Sequence, residues 1–200
     1  MKIVELKHVN VKNLAGEIKK GKIIVSPTDT VYGLICDAGN KRAVGRIFKI
    51  KKRSLQKPLS VFVKDFKTAR KIAVINNEQE KILKAMWPGK LIAVFKARKK
   101  FPQGIVCESG KIGLRIPDYK LLQGILSEFK KPLAQTSANI SGEPAPSRIK
   151  GIIKQFTLRR GSGQEKNQPD LIIDAGNLKK SKPSKVVDLT GVTPKILRRR

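Results

Sequence analysis

The chain has 200 residues, with 44 Lys and Arg against 15 Asp and Glu, and a formal net charge of +29. This length fits one large domain, and a hydrophobic content of 40% is enough for a core, which excludes a wholly disordered protein. No apolar run approaches the ~20 residues of a membrane span, and the N-terminus lacks the pattern of a signal peptide. Two distant cysteines and one histidine argue against a disulfide scaffold, a cysteine zinc site and most histidine mechanisms. We therefore expect a cytoplasmic protein without a membrane partner.

The predicted elements alternate between helices and strands. In the first third of the chain we predict a helix capped by Asn10 and stopped by Gly21, a strand at 23–25, a helix capped by Asn40, and a strand at 59–63. The middle of the chain is predicted to contain helices from Asp65 to about Ala73 and at 78–87, strands at 91–95 and 112–116, and a helix with its apolar face within 121–129. The last third is predicted to contain a strand at 133–136, a helix capped by Ser147 that ends near Phe156, and strands at 171–173 and 186–187. This order predicts an α/β domain with a mixed sheet. The polar segment 159–169 reads as a flexible loop that covers a cavity.

Basic residues are concentrated in one part of the chain. Twelve of them lie between Lys41 and Lys71, where Asp65 is the only acidic residue. Such an excess favours an anionic partner such as nucleic acid, nucleotide or anionic lipid, but a lysine-rich composition alone gives the same surface. Within this region, the segment 49–58 suits a triphosphate, an RNA backbone or an ordinary solvated helix end.

Two other polar segments come directly after predicted strands. The first, SPTDTVYGL at 26–34, places two threonine hydroxyls, a carboxylate and a phenol together, which suits a small polar ligand or a simple turn from strand to helix. The second, LAQTSANISG at 133–142, offers donors for phosphate or adenine, or forms a polar turn. It lacks the pattern of a P-loop.

Arg115 lies within the apolar strand pattern of GLRIPD at 113–118. A buried arginine is costly unless it is paired, so Arg115 is either a structural ion-pair partner or an anchor for a substrate carboxylate. Elsewhere no serine has a histidine near it in sequence for a catalytic triad, and no aspartate pair has the spacing of metal ligands. His8 reads as a surface or core residue.

These segments, in this order, resemble the YrdC-like family of threonylcarbamoyl-adenylate synthases. The matching stretches are PTDTVYGL at 27–34, KKR at 51–53 with KPL at 57–59, WPG at 87–89, GLRIPD at 113–118, SANISG at 137–142, and PSKVVD at 183–188 with LR at 197–198. They cover the chain from about residue 10 to the end. The resemblance favours the ligand-binding interpretation of each segment over the simple turn.

The resemblance implies one α/β domain over residues 1–200, with a core of about 10–198, a twisted mixed sheet flanked by helices, and a positively charged concave cavity. It implies that L-threonine, bicarbonate or CO2, and ATP react to give threonylcarbamoyl-adenylate and pyrophosphate. A separate transferase then uses this product to modify the adenosine beside the anticodon of certain tRNAs. Magnesium would be carried mainly by the phosphates, without a protein metal site.

The resemblance also implies a role for individual residues. Lys51 and Arg53 match the pair that holds phosphates and carbamate during catalysis. Threonine would be bound by Thr28, Thr30, Tyr32, Arg115 and Ser184. The nucleotide would be bound by Lys57, Ser137, Asn139, Ser141 and Arg198.

Several positions depart from the family pattern. Lys52 and Ser54 replace a glycine and a proline, so we expect a less tightly turned loop after Lys51. Lys90 and Ile92 replace a proline and a threonine. Lys185 replaces a threonine, and we expect its cation to lie beside the proposed substrate site, which bears on the role of Ser184.

Two alternative functions remain open at this point. The first is a non-catalytic RNA-binding protein that uses the same basic cavity and binds tRNA or double-stranded RNA with a steep salt dependence. The second is the related carbamoyl-transfer domain of hydrogenase-maturation proteins, but those proteins carry zinc-binding cysteine clusters that this sequence lacks. ATP use that depends on threonine would distinguish the synthase from the RNA-binding protein.

Overall fold

A computed structural model describes residues 1–146, 148–157, 167–179 and 181–199. The strands are β1 (Lys2–Glu5), β2 (Ile24–Ser26), β3 (Gly33–Asp37), β4 (Ser60–Phe62), β5 (Leu91–Lys96), β6 (Lys111–Arg115), β7 (Leu133–Ser137), β8 (Leu171–Asp174), β9 (Lys185–Asp188) and β10 (Lys195–Arg198). The helices are α1 (Val11–Lys19), α2 (Lys41–Lys51), α3 (Phe66–Ile72), α4 (Asn77–Lys84), α5 (Lys120–Phe129) and α6 (Ile149–Thr157), with a short 3-10 turn at Leu6–His8. None of the helices in these ranges is long and apolar enough to cross a membrane.

The ten strands that the structure describes belong to one mixed sheet, in the order β1-β8-β2-β3-β7-β4-β6-β5-β9-β10. Pairs such as β4 with β6 are parallel, whereas β5 with β6 and β3 with β7 are antiparallel. The predicted α/β class with a mixed sheet and flanking helices is confirmed.

Three of the four predicted helix caps are present. The side chains of Asn10, Asn40 and Asp65 accept hydrogen bonds from backbone N–H groups three residues further on, at 3.1, 3.0 and 2.7 Å. These bonds satisfy donors that a helix N-terminus otherwise leaves unpaired. The predicted helix 78–87 begins one residue earlier, after a capping box between Asn76 and Gln79, and its predicted end at Trp87 was wrong, because α4 ends at Lys84. Ser147 and most of the predicted 159–169 loop lie outside the described residues.

Three strands were not predicted. The segment 27–32 joins β2 to β3, and the two strands pair antiparallel with Val25 opposite Leu34. The expectation of a turn from strand to helix at this segment was therefore wrong, because the chain continues into a second strand. β1 and β10 are the edge strands of the sheet. Because most of their side chains are exposed, they lack the apolar pattern that marks a buried strand.

The two faces of the sheet are covered differently. On the first face, apolar residues such as Ala93 and Leu114 form the larger core with α2, α3, α4 and α6. On the second face, α1 and α5 pack over a smaller core that includes Ile35 and Phe62. The rest of the second face carries side chains that alternate with the first core, such as Val94 beside Ala93. This remaining part is the floor of a cavity.

Candidate active site

A cavity of about 440 Å³ opens on the second face of the sheet. Eight of the twelve predicted site residues line it, namely Thr28, Thr30, Tyr32, Arg53, Arg115, Ser137, Ser184 and Arg198. The other four, Lys51, Lys57, Asn139 and Ser141, are not part of the lining. The fold thus brings segments from both ends of the chain to one surface.

The segment between β2 and β3 presents two buried threonine hydroxyls. Thr28 Oγ1 lies 3.0 Å from Thr30 Oγ1, accepts a hydrogen bond from the Thr30 N–H at 3.0 Å, and donates to the carbonyl of Val31 at 2.7 Å. Such side-chain to backbone bonds fix a tight turn. Both threonines are buried and line the cavity.

Arg115 ends β6 and is 2% exposed. Its guanidinium donates to Gly89 O at 2.8 Å, to Ser184 Oγ at 2.5 Å, and to Asp29 Oδ1, with which it forms an ion pair. The guanidinium also lies 5.5 Å from the centre of the Phe62 ring. Both interpretations of Arg115 are therefore compatible with the geometry, because the paired guanidinium also lines the cavity.

Ser184 contacts two arginines at once. Its hydroxyl accepts from Arg115, and its backbone carbonyl accepts from Arg198 Nε at 3.0 Å and Nη2 at 2.7 Å. Ser184 and Val186 line the cavity and Lys185 does not, in keeping with the alternation of side chains along β9. The expectation that the Lys185 cation lies beside the proposed substrate site was wrong, because Lys185 is not part of the cavity lining.

Lys51 is 1% exposed and holds the segment after β7. Its Nζ donates to Ser137 O and Asn139 O, both at 2.6 Å, and to Asn139 Oδ1 at 3.0 Å. The Ser137 hydroxyl donates to the same Oδ1 at 2.5 Å. Burial, followed by repulsion from Arg53, lowers the pKa of Lys51 to about 7. Lys51 therefore fixes the end of β7, where Ser137 lines the cavity, together with the loop that follows it.

Arg53 reaches the cavity through a sharp turn. Lys52 ends α2 in the left-handed conformation, with φ 49° and ψ 44°. Lysine therefore adopts here a left-handed conformation that favours glycine, and the expected looser loop stays a prediction. Arg53 donates to Lys57 O at 2.6 Å and Pro58 O at 3.2 Å. The Lys57 and Ser141 side chains are exposed, and both residues contribute backbone groups to these loops.

The hydroxyl of Tyr32 forms hydrogen bonds with two backbone groups. It accepts from Ala175 N at 2.9 Å and donates to Gly176 O at 2.8 Å, and burial raises its pKa to about 12. The described contacts give this hydroxyl a structural role in joining two loops. Its contact with threonine stays a prediction.

Sequence reasoning missed several lining residues. Lys111 and Asp188 lie across β5 from each other and form an ion pair at 2.8 Å. Burial tends to raise the pKa of Asp188, but the hydrogen bonds from Lys111 and Thr190 lower it overall. Gln135 lines the cavity floor and donates to Ser60. No motif contains these pairs, because each joins residues that only the sheet brings together.

The lining carries four cationic side chains among its described residues, Arg53, Lys111, Arg115 and Arg198, against the single carboxylate of Asp188. Burial lowers the pKa of both Arg53 and Arg198, and for Arg53 the charge of Arg198 acts in the same direction. An anion bound between these two arginines would relieve their repulsion. Fold and site together define an α/β protein with a cavity lined by arginine and hydroxyl side chains.

Comparison with known proteins gives the family. A model for Sua5, YciO and YrdC proteins, described as "Telomere recombination", matches residues 17–200, and the chain belongs to this family. A putative threonylcarbamoyl-AMP synthase of Methanocaldococcus jannaschii is 35% identical over 176 residues, which cover 88% of this chain and 78% of that protein.

Solved structures agree with this assignment. The crystal structure of P. abyssi Sua5 complexed with L-threonine has a TM-score of 0.88 and 30% identity, and the match covers 99% of this chain and 57% of that one. The structure of E. coli YciO has a TM-score of 0.84 and 26% identity, and its match covers 98% and 93%. This chain therefore spans little more than half of the P. abyssi protein.

Proposed function

We propose that this chain is an L-threonylcarbamoyladenylate synthase, a nucleotidyltransferase that makes threonylcarbamoyl-AMP and pyrophosphate from L-threonine, bicarbonate or CO2, and ATP. The observation that carries the proposal is the convergence of Arg115, Ser184, Arg198 and Arg53 on one cavity. A buried arginine with neighbouring hydroxyls suits an amino-acid carboxylate, and two facing arginines suit phosphates. The names of the relatives support the same reaction.

The proposed chemistry needs positioning more than acid–base catalysis. Arg115 binds the threonine carboxylate, and Thr28 and Thr30 fix the orientation of the amino acid. The threonine amine attacks CO2, forming a C–N bond and releasing a proton. A carbamate oxygen then attacks the α-phosphorus of ATP, the bond to the β-phosphate oxygen breaks, and pyrophosphate leaves. Arg53 and Arg198 neutralise the phosphate charge that develops in this step.

Other residues support these groups indirectly. Lys51 holds the Ser137–Asn139 loop through three hydrogen bonds, so its proposed part is to place Ser137 against the nucleotide. In this proposal Mg2+ is a substrate ion that arrives with the phosphates of ATP. The product would be passed to a separate tRNA-modifying transferase.

The test is pyrophosphate release from ATP with and without L-threonine and bicarbonate, combined with mass spectrometry of the product. We expect release to require both, and a threonylcarbamoyl-adenylate mass to appear. Arg115→Ala should raise the threonine KM at least ~10-fold, since a charge-assisted bond contributes about 1.5–3 kcal/mol. The matched control is Arg42→Ala on the exposed side of α2. Pyrophosphate release that does not depend on threonine would refute the synthase proposal and favour an RNA-binding role for the cavity.

A further inference from the structure

A second concave surface lies on the opposite side of the sheet from the cavity. We call it the α3 groove; its lining residues are Phe66, Lys67, Arg70, Lys71, Glu80, Arg98 and Lys99. It opens between α3, α4 and the segment after β5. Ala69 and Ile72 of α3 pack into the first core, whereas the cavity lies on the second face. The groove is therefore separated from the proposed reaction site by the sheet.

Cationic residues are enriched at the groove beyond the chain average. In the two segments that supply most of it, 64–71 and 96–100, eight of 13 residues are Lys or Arg, against 44 of 200 in the whole chain. Asp65 is the only acidic residue in these segments, and its carboxylate caps α3. A uniformly lysine-rich composition does not explain this concentration.

Most of these cations lack an internal partner. Arg70 forms an ion pair with Glu80, and Lys84 approaches the same carboxylate at 3.5 Å. Within the described residues, Lys67, Lys71, Arg98 and Lys99 form no ion pair. In the cavity, by contrast, Lys111 and Arg115 are paired with carboxylates. The groove thus has charge available for an external anion.

The backbone holds these like charges close together. Arg98 N donates to Ile72 O at 2.8 Å, and Val74 N donates to Lys96 O at 2.9 Å, which fastens the segment after β5 to the end of α3. Lys67 and Lys71 lie one helical turn apart on α3, where like charges repel. At physiological salt the Debye length of about 8 Å leaves this repulsion only partly screened. A bound polyanion would remove it.

From this arrangement we propose that the α3 groove binds the phosphodiester backbone of RNA, independently of base sequence. Besides the Glu80 carboxylate, which is paired with Arg70, its lining offers cations and one half-buried aromatic ring, Phe66, so it has no apolar pockets with which to select the side chains of a peptide. Lysines and arginines spaced by a helical turn contact successive phosphates, and such contacts carry affinity without base specificity. Threonine and ATP take no part in this binding.

The test uses the full chain and a fluorescently labelled 20-base-pair RNA duplex, titrated at several salt concentrations. The groove variant replaces Lys67, Lys71, Arg98 and Lys99 with Gln. The matched control replaces two exposed lysines of α1, Lys12 and Lys19, and the exposed Lys130 and Lys131 with Gln, which removes the same charge. We expect the groove variant to bind at least ~10-fold more weakly at 100 mM salt, with a salt slope smaller by about 3, while the control stays near wild type.

Several outcomes would overturn the proposal. Equal binding by the groove variant and wild type, or equal loss in the control, would mean that RNA recognises the net charge and not this groove. Stronger competition by poly-L-glutamate than by unlabelled RNA of equal charge would indicate an acidic protein partner. Competition by inorganic triphosphate alone would indicate a small anion.

Two double variants, Lys67→Gln/Lys71→Gln and Arg98→Gln/Lys99→Gln, control for misfolding of the quadruple variant. Each should reduce the salt slope by about half as much as the quadruple variant does. Pyrophosphate release should be unchanged in all of them, so failure of the synthase proposal remains distinguishable.

Discussion

Asp29 and Arg115 form an ion pair across the cavity wall although 86 residues separate them in sequence. The side chains are 8% and 2% exposed, and Asp29 Oδ2 has no hydrogen-bond partner among the described residues. The positive charge of Arg115 is therefore balanced before any substrate carboxylate arrives. Asp29 connects the threonine-rich segment after β2 to the arginine at the end of β6.

The first prediction concerns the stability that this pair provides. Asp29→Ala removes the negative charge while the guanidinium stays buried, and breaking a buried pair in this way costs about 3–5 kcal/mol. We expect the free energy of unfolding in urea to fall by that amount. Glu128→Ala, on the exposed face of α5, should change it by less than about 0.5 kcal/mol.

A double-mutant cycle distinguishes coupling from general damage. Arg115→Met removes the cation, so adding Asp29→Ala to it should cost much less than Asp29→Ala alone. Strictly additive losses would show that the two side chains do not stabilise each other.

The second prediction concerns Ser184. Ser184→Ala removes the acceptor that Arg115 contacts at 2.5 Å, and loss of a bond to a charged group costs about 1.5–3 kcal/mol. The Arg115 guanidinium then lacks one of the hydrogen bonds that hold it in position. Because Arg115 is the proposed partner of the threonine carboxylate, we expect the threonine KM to rise more than the ATP KM. Ser127→Ala, at an exposed position of α5, should leave both values unchanged. A rise confined to the ATP KM would contradict the proposed contact with threonine.

Local sequence signals predicted most of the helices and the central strands. Asn10, Asn40 and Asp65 were correct because N-cap bonds depend on neighbouring residues alone. The edge strand β10 was not predicted, because its side chains are exposed and its pairing with β9 exists only in the folded sheet. Strand order could not be read from local pattern for the same reason.

The sequence predicted those cavity residues that belong to a motif, but not the contacts between motifs. The resemblance supplied Arg115 and Ser184, but not the hydrogen bond between them, which joins β6 to the segment before β9. Nor did any motif contain the Lys111–Asp188 pair. Lys185 was misjudged because the direction of its side chain depends on the register of β9 against β5.

The third prediction concerns the titration of Lys51. Its folded pKa is about 7, below its ordinary value of 10.5, so between these two values the unfolded chain binds the extra proton. Stability should therefore rise with pH from 7 towards 10.5, at up to about 1.4 kcal/mol per pH unit. We expect the stability difference between wild type and Lys51→Met to change in favour of wild type when urea unfolding is measured from pH 7 to 9. A flat difference would mean that Ser137 O, Asn139 O and Asn139 Oδ1 hold Lys51 in its ammonium form throughout this range.

The last prediction concerns the turn between α2 and Arg53. Lys52 has φ 49°, a region in which a side chain costs about 1–2 kcal/mol relative to glycine. Lys52→Gly should therefore raise the free energy of unfolding by about 1 kcal/mol after allowing for the greater freedom of glycine in the unfolded chain. Lys49→Gly, in the last turn of the same helix, should lower it by about 1 kcal/mol, because that position is helical. Since Lys52 does not line the cavity, Lys52→Gly should also leave threonine-dependent pyrophosphate release unchanged. A loss of stability equal to that of Lys49→Gly would show that Lys52 does not occupy the left-handed conformation in solution.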